Sequence, residues 1–441
     1  FNMYHHYTVD EHLLRAIGNL AAIERGELRA DHPVASELIK RIRSREALYC
    51  AVLLHDIAKG GTADHSDEGA ALAHRLCPRF GLSPADTEAV AWLVKNHLVM
   101  SDTAQRRDLA DPKTVRDFVH VVQSPEMLRM LLVLTVADIR AVGPGVWNGW
   151  KGQLLRELYD AAESTMSGGD AAPARSARGK AAKATLRERL ADVDPAVRER
   201  LLNRHYDAYW LSFDAATHEW HARMIAKADA AGELLTLDAE SDDFRAVSDI
   251  VVYTPDHAGL FSHLAGAIAA SGGSIVDAKA FTTADGFALD VFSVQDADGR
   301  PFGESSRLDR LRAAIERTLS GQARPKTLLS ARKPKGQRGA FAVSPRVHFD
   351  NDASGISTVI EVVGLDRPGF LYDVSHAIFE SGLSISSAMI ATYGERAVDV
   401  FYVRDGFGHK VTHPERVASV SKRLYAALGA VGLEAAPAGE A

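Results

Sequence analysis

Apolar residues in the first 140 positions recur at helical spacing, and several runs end on polar side chains that a buried helix would not ordinarily carry. Ala47, Ala51, Leu54 and Ala58 share one helix face. The end of that run carries His55 and Asp56 on neighbouring faces, followed by Lys59, Gly60, Gly61 and His65. Thr8 and Glu11 have capping-box spacing and predict a helix through Leu13, Ile17 and Leu20, with His12 in its second turn. Ser83-Pro84 opens a helix through Val90 and Leu93 that ends near His97. Ser124-Pro125 opens another, whose apolar run Leu131 to Ala137 delivers Asp138.

Downstream, the segment from Val142 to Trp150 is rich in glycine and breaks the helix after Asp138. Helical spacing resumes through Leu154, Leu155, Leu158 and Tyr159. The small, basic stretch 167–183 has no apolar period and predicts a flexible loop. Leu186 to Leu202 and Tyr206 to Ile225 return to helical spacing, with Tyr206, Tyr209, Trp210, Phe213 and Trp220 expected to pack a core.

The second half repeats itself. Val252 to Phe261, containing Asp256, Gly259 and Leu260, matches Val362 to Leu371, containing Asp366, Gly369 and Phe370, at a shift of 110 positions. The match continues through Ser271-Gly272 against Ser381-Gly382 and, after one deletion, Asp290-Val-Phe292 against Asp399-Val-Phe401. Each copy predicts strand, helix, two strands of period two, helix and a final strand, a split βαβ unit. The stretch 332–346, rich in Lys, Arg, Gly and Pro, separates the copies.

Burying an imidazole and a carboxylate without partners is expensive, and a divalent cation compensates both. His12, His55, Asp56, His65, His97 and Asp138 are thus candidate metal ligands, against the plainer reading of helix-end hydrogen-bonded pairs. His5 and His6 are expected at the surface or behind the ligands. Lys59 is a candidate contact to a phosphate, and charge compensation at a helix C-terminus explains it equally well. In each repeat the aspartate of Asp-X-X-Gly either caps the following helix or accepts from an amino group, while the glycine lets a ligand approach the backbone. The plainer alternative is a shaped turn.

Composition narrows the function classes. A chain of 441 residues with 46% hydrophobic and 25% charged residues has room for several domains. Its net charge of −7 argues against nucleic-acid binding by phosphate neutralisation. Two cysteines, Cys50 and Cys77, suggest no disulfide framework. No signal peptide or apolar run of membrane-spanning length is found, so no membrane partner and a cytoplasmic setting are expected. Phe1 stands only a few residues before a ligand-bearing helix, and a longer natural chain upstream is expected.

The ordered series His12, His55-Asp56, His65, His97, Asp138 resembles the HD superfamily of metal-dependent phosphohydrolases. That resemblance implies an all-α domain over residues 1–145. It also implies one metal held by His12, His55, Asp56 and Asp138, and a second completed by His65 and His97 with Asp56 bridging. Mn²⁺ or Mg²⁺ is implied, with Fe²⁺ possible in a histidine-rich site. The two repeats resemble ACT domains, α+β ferredoxin-like (βαββαβ) modules that bind amino acids. These are expected at 247–330 and 356–436, after a helical region at 146–246 and around a linker at 331–355. The implied effector sites are Asp256, Gly259 and Leu260 in one copy and Asp366, Gly369 and Phe370 in the other.

The words MYHHYTVDEH, LLHDIAKG and VVGLDRPGFLYDV, with HD followed by tandem ACT copies, resemble the bifunctional uridylyltransferase/uridylyl-removing family of bacterial nitrogen control. The resemblance implies hydrolysis of UMP from a tyrosine of the PII signalling protein, with catalysis by His55, Asp56 and Lys59 and regulation by glutamine. The family's nucleotidyltransferase motif is not found in these residues, so UMP transfer is not expected of them. A hydrolase of guanosine tetraphosphate is the rival enzyme, disfavoured because His55-Asp56 is not followed by that family's acidic pair. A glutamine-binding module with a silent HD core is the non-enzymatic rival.

Overall fold

The computed structural model describes residues 7–60, 64–143, 146–167, 171–330, 343–393 and 395–429, with the side chains of 171–178 and 330 left aside. His5, His6, Gly61 and most of the stretch 332–346 fall outside the described residues. The chain divides into two compact units, residues 1–169 and 170–441.

Among its described residues the first unit is all helical: α1 (Val9–Glu24), α2 (Pro33–Leu38), α3 (Arg45–Leu54), α4 (His65–Leu76), α5 (Pro84–Asn96), α6 (Val99–Arg106), α7 (Pro112–Val122), α8 (Pro125–Val142) and α9 (Gly149–Met166). Helix α8 is apolar on almost every side, so it lies in the middle, with α1, α2, α3 and α9 among its neighbours. Polar N-caps fix where the helices begin. The side chains of Ser44, Asp64, Ser83 and Ser124 accept from first-turn amides of α3, α4, α5 and α8. At α1 the expected capping box does not form. Thr8 is the N-cap but makes no side-chain cap bond, and Glu11 pairs with Arg15 at 2.8 Å. No single helix among the described residues is long and apolar enough to cross a membrane.

The helical region expected at 146–246 divides between the units. Helix α9 packs in the first, with Leu155, Leu158 and Tyr159 in its core. The rest belongs to the second as α10 (Ala171–Arg189), α11 (Pro195–Arg204), α12 (Asp207–Trp210) and α13 (Ala215–Ala231). Two expectations are corrected here. The stretch 167–183 is not a loop throughout, because α10 starts at Ala171, where alanine, arginine and lysine have high helix propensity despite the missing apolar period. The run from Leu186 to Leu202 is broken, because Asp194 caps a new helix with Pro195 at its first position.

Among the described residues eight strands form one antiparallel sheet: β1 (Thr236–Asp242), β2 (Val247–Pro255), β3 (Ser274–Thr282), β4 (Phe287–Gln295), β5 (Arg346–Asp350), β6 (Thr358–Leu365), β7 (Leu383–Tyr393) and β8 (Arg396–Asp405). Their order is β1-β2-β4-β3-β7-β8-β6-β5. The copies join at the centre, where Ala278 of β3 faces Ala388 of β7. Matching β-bulges follow Ile275 and Ile385. Helices α14 (Leu260–Ser271), α15 (Ser305–Leu319), α16 (Pro325–Ser330), α17 (Phe370–Glu380) and α18 (Pro414–Ala427) complete the unit, and one face of the sheet shares a core with them. The other face of the first copy, through Val251, Tyr253, Leu289 and Val291, packs on α10 to α13.

The copies have the ACT-like α+β class, but the fourth strand comes from the other end. Strand β1 lies beside β2 and β5 beside β6, so the unit reads ββαββα, and α15 leads into α16 where a final strand was expected. Each copy therefore begins earlier than the expected starts at 247 and 356. Strand β1 carries little sequence signal because Thr236–Asp242 is half exposed at a sheet edge and strongly acidic, without clean alternation.

Candidate metal centre and repeat turns

Five helix ends or helix faces meet inside the first unit. His55 is the C-cap of α3 and His97 the C-cap of α5. A helix C-terminus leaves carbonyls without intrahelical partners. Each ring uses one: His55 Nδ1 donates to Val52 O at 2.8 Å, and His97 Nδ1 to Val94 O at 2.7 Å. A carbonyl can only accept, so in the neutral ring the lone pair sits on Nε2, which faces the cluster. His12 arrives from α1, His65 from the start of α4 and Asp138 from α8.

The six residues form two groups of three. In the first, His12 Nε2 stands 3.1 Å from His55 Nε2 and 3.1 Å from Asp138 Oδ1, and His55 Nε2 lies 3.4 Å from the same oxygen. In the second, His65 Nε2 and His97 Nε2 each stand 3.6 Å from Asp56 Oδ1. Asp56, 1% exposed, touches both, since its Oδ2 lies 3.7 Å from His12 Nε2 and 3.8 Å from His55 Nε2. One carboxylate thus spans two ligand groups.

This donor set fits divalent cations. The buried Nε2 atoms of His65 and His97 make no hydrogen bond among the described residues, and 3.6 Å is too long for one. It is a natural spacing for two ligands of a shared ion whose bonds are each about 2 Å. Neutral imidazole and carboxylate nitrogen and oxygen donors suit Mn²⁺, Fe²⁺, Zn²⁺ and related ions. Burial, reinforced by the neighbouring His55, pushes His97 down to about 4, so its ring is neutral at neutral pH, the form that can coordinate a metal. Burial opposes charge on Asp138, but His55 and His12 hold it well below the usual carboxylate range. Asp56 is likewise lowered against its burial, by His55 and then Lys59.

Lys59 donates to Asp56 Oδ2 at 2.8 Å and is mostly buried. It thus sits against the shared carboxylate, with its ammonium at the edge of the first ligand group. Gly60, with φ of +107°, closes the turn beyond it.

The two repeat turns are built alike. Asp256 N donates to Gly286 O at 3.0 Å and Asp366 N to Glu395 O at 2.8 Å. The N-caps of α14 and α17 are Gly259 and Gly369, with φ of +81° and +84°, so the aspartates do not cap the helices. Asp256 instead accepts from Thr282 Oγ1 at 2.7 Å. Leu260 and Phe370 are buried in the core. A Cβ on Gly259 would meet the Phe379 ring of α17 at 3.2 Å, and one on Gly369 would meet Leu329 of α16 at 2.9 Å. The first copy's turn therefore packs on the second copy. Sequence reasoning assigned no role to Asp290 and Asp399, though their recurrence in otherwise apolar strands was a visible signal.

Comparison with known proteins gives the same outline. Residues 9–140 match the HD domain family model. Over 97% of its length the chain is 54% identical to the bifunctional uridylyltransferase/uridylyl-removing enzyme of Azospirillum brasilense, and 49% identical to that of Rhodospirillum rubrum. Over 96% it is 48% identical to that of Rhodopseudomonas palustris. The chain spans 46% of the length of each, so it corresponds to about half of these relatives.

Proposed function

We propose that this chain, a homologue of one half of the bifunctional uridylyltransferase/uridylyl-removing enzymes, carries the uridylyl-removing activity and its control. The substrate is a phosphodiester joining UMP to a tyrosine of the PII signalling protein, and UMP is the product. The observation that carries this reading is the pair of three-residue ligand groups sharing Asp56 within an HD domain. Divalent cations held there, Mn²⁺ or Mg²⁺, would lower the pKa of an attacking water and offset charge on the phosphoryl oxygens.

The protein's own residues do the positioning. The carbonyls of Val52 and Val94 hold the rings of His55 and His97 in one tautomer. Asp56 fixes the two ligand groups at one distance from each other, and Lys59 supplies positive charge at their edge for a phosphate oxygen. Glutamine is the effector, bound at the turns from Asp256 to Gly259 and from Asp366 to Gly369. It acts on hydrolysis by favouring one arrangement of the protein over another, which requires different affinity for the two.

The test is release of UMP from uridylylated PII by the manganese-loaded chain, with and without glutamine, beside guanosine tetraphosphate as competing substrate. Metal-dependent UMP release stimulated by glutamine is expected. Preferential hydrolysis of guanosine tetraphosphate, or metal binding without turnover of either, would overturn the assignment.

A further inference from the structure

Asp290 and Asp399 are the anomaly of the sheet. They occupy the same place in the two repeats, each followed by Val-Phe, and they are 3% and 1% exposed. In register, Asp290 lies between Val252 and Ala280, and Asp399 between Val362 and Ile390. Their neighbours of the same parity, Ala288 and Phe292 or Ala397 and Phe401, are in the core shared with the helices. Both oxygens of Asp399 are buried without a hydrogen-bond partner among the described residues.

The burial of both carboxyls is opposed by their surroundings. Desolvation pushes both carboxyls well above the ordinary range, and the next contribution, from Asp256 on Asp290 and from Asp366 on Asp399, pushes the same way. Each buried acid lies on the sheet face that shares a core with α14 and α17, the helices that begin at the two turns. The helices beginning there, α14 and α17, start on glycine N-caps that provide no side-chain cap. The second copy thus joins a carboxylate with no hydrogen-bond partner among the described residues to a helix start without a side-chain cap, and the first copy repeats the buried acid and the glycine N-cap. A valine or leucine would fill the strand position at lower cost. The fold nevertheless carries the same penalty in both copies.

We propose that Asp399, and Asp290 in the first copy, is the acceptor that recognises N–H groups of the effector, an α-ammonium or a primary carboxamide, from inside the sheet. The helix start takes the effector's carboxylate. The ligand class is a small zwitterionic amino acid, and the inference rests on the reading that these turns bind the effector.

The experiment compares the parent chain with Asp399→Leu, Asp399→Asn and Asp290→Leu by calorimetry with L-glutamine and by thermal unfolding without ligand. Asp399→Leu should weaken or abolish the second-copy site at least tenfold while melting at the parent's temperature or above, and Asp290→Leu should do the same at the first. Asp399→Asn should keep part of the affinity. Unchanged glutamine binding in both leucine variants would overturn the inference, and so would melting several degrees below the parent, which would show the acids to be structural. If the parent binds no glutamine, the choice of effector falls, and a thermal-shift panel of amino acids, amides and ammonium chloride decides the inference. A ligand whose shift disappears in Asp399→Leu upholds it; the absence of any such ligand overturns it.

Discussion

Acid should loosen the α11 to α13 layer through His205 and His221. Both are buried around Tyr209: His205 stacks on its ring at 3.8 Å, and His221 Nδ1 lies 3.2 Å from its hydroxyl. Burial pushes both down to about 3. The charges facing His205 are Arg204, His218 and Lys183, which oppose its protonation, and Asp285, which favours it. His218 and His205 oppose and Asp214 favours protonation of His221. In the unfolded chain a histidine titrates near 6.5. As pH falls below 6.5 the unfolded state therefore takes protons that the folded state refuses, and stability drops until about pH 3. At pH 5 the difference is about 2 kcal/mol per histidine, or about 4 kcal/mol for the two. That is a large part of a typical domain's 5–15 kcal/mol. Hydrogen exchange reads the layer locally: protection factors of α13 amides should fall by up to about a thousandfold between pH 7 and pH 5. Phenylalanine keeps the ring but cannot titrate. The double variant His205→Phe, His221→Phe should lose most of that pH dependence. An equal fall in parent and variant would refute the assignment to these rings.

Asp56→Asn removes the charge common to both ligand groups, so hydrolysis should drop by at least a hundredfold and metal content below one ion per chain, with far-UV circular dichroism unchanged. Normal turnover with normal metal content would rule out a bridging Asp56. His97→Ala removes a donor from the second group only, so the proposed two-ion site predicts by elemental analysis about one ion in the variant against two in the parent; two ions in the variant would contradict the grouping. Gly369→Ala puts a Cβ at φ +84° and 2.9 Å from Leu329, and urea denaturation should show a loss of about 2 kcal/mol or more. Adding Leu329→Ala should remove the clash but leave the backbone strain, so any rescue must be incomplete.

Much of this protein was legible in its sequence because local chemistry and period specify it. The serine and proline pairs before α5 and α8 set those helix starts, and the polar residues closing apolar runs marked the candidate ligands that the structure brings together. The repeat exposed two copies of one α+β unit, since the same turn chemistry has to be encoded twice. Propensity hidden under a missing apolar period concealed α10, and an acidic edge strand concealed β1. Only the tertiary structure could decide that β1 and β5 fill the places expected of final strands, because edge pairing depends on which segment reaches the open side of β2 and β6. It also decided that Asp56 turns one oxygen to each ligand group, a matter of where α1, α3, α4, α5 and α8 cross. Asp290 and Asp399 were visible as letters in strands, but that Asp399 is buried with no partner for either oxygen among the described residues depends on the helices that close over the sheet. Sequence period fixes which face of an element is apolar; which polar atoms that face then isolates is set by the packing of its neighbours.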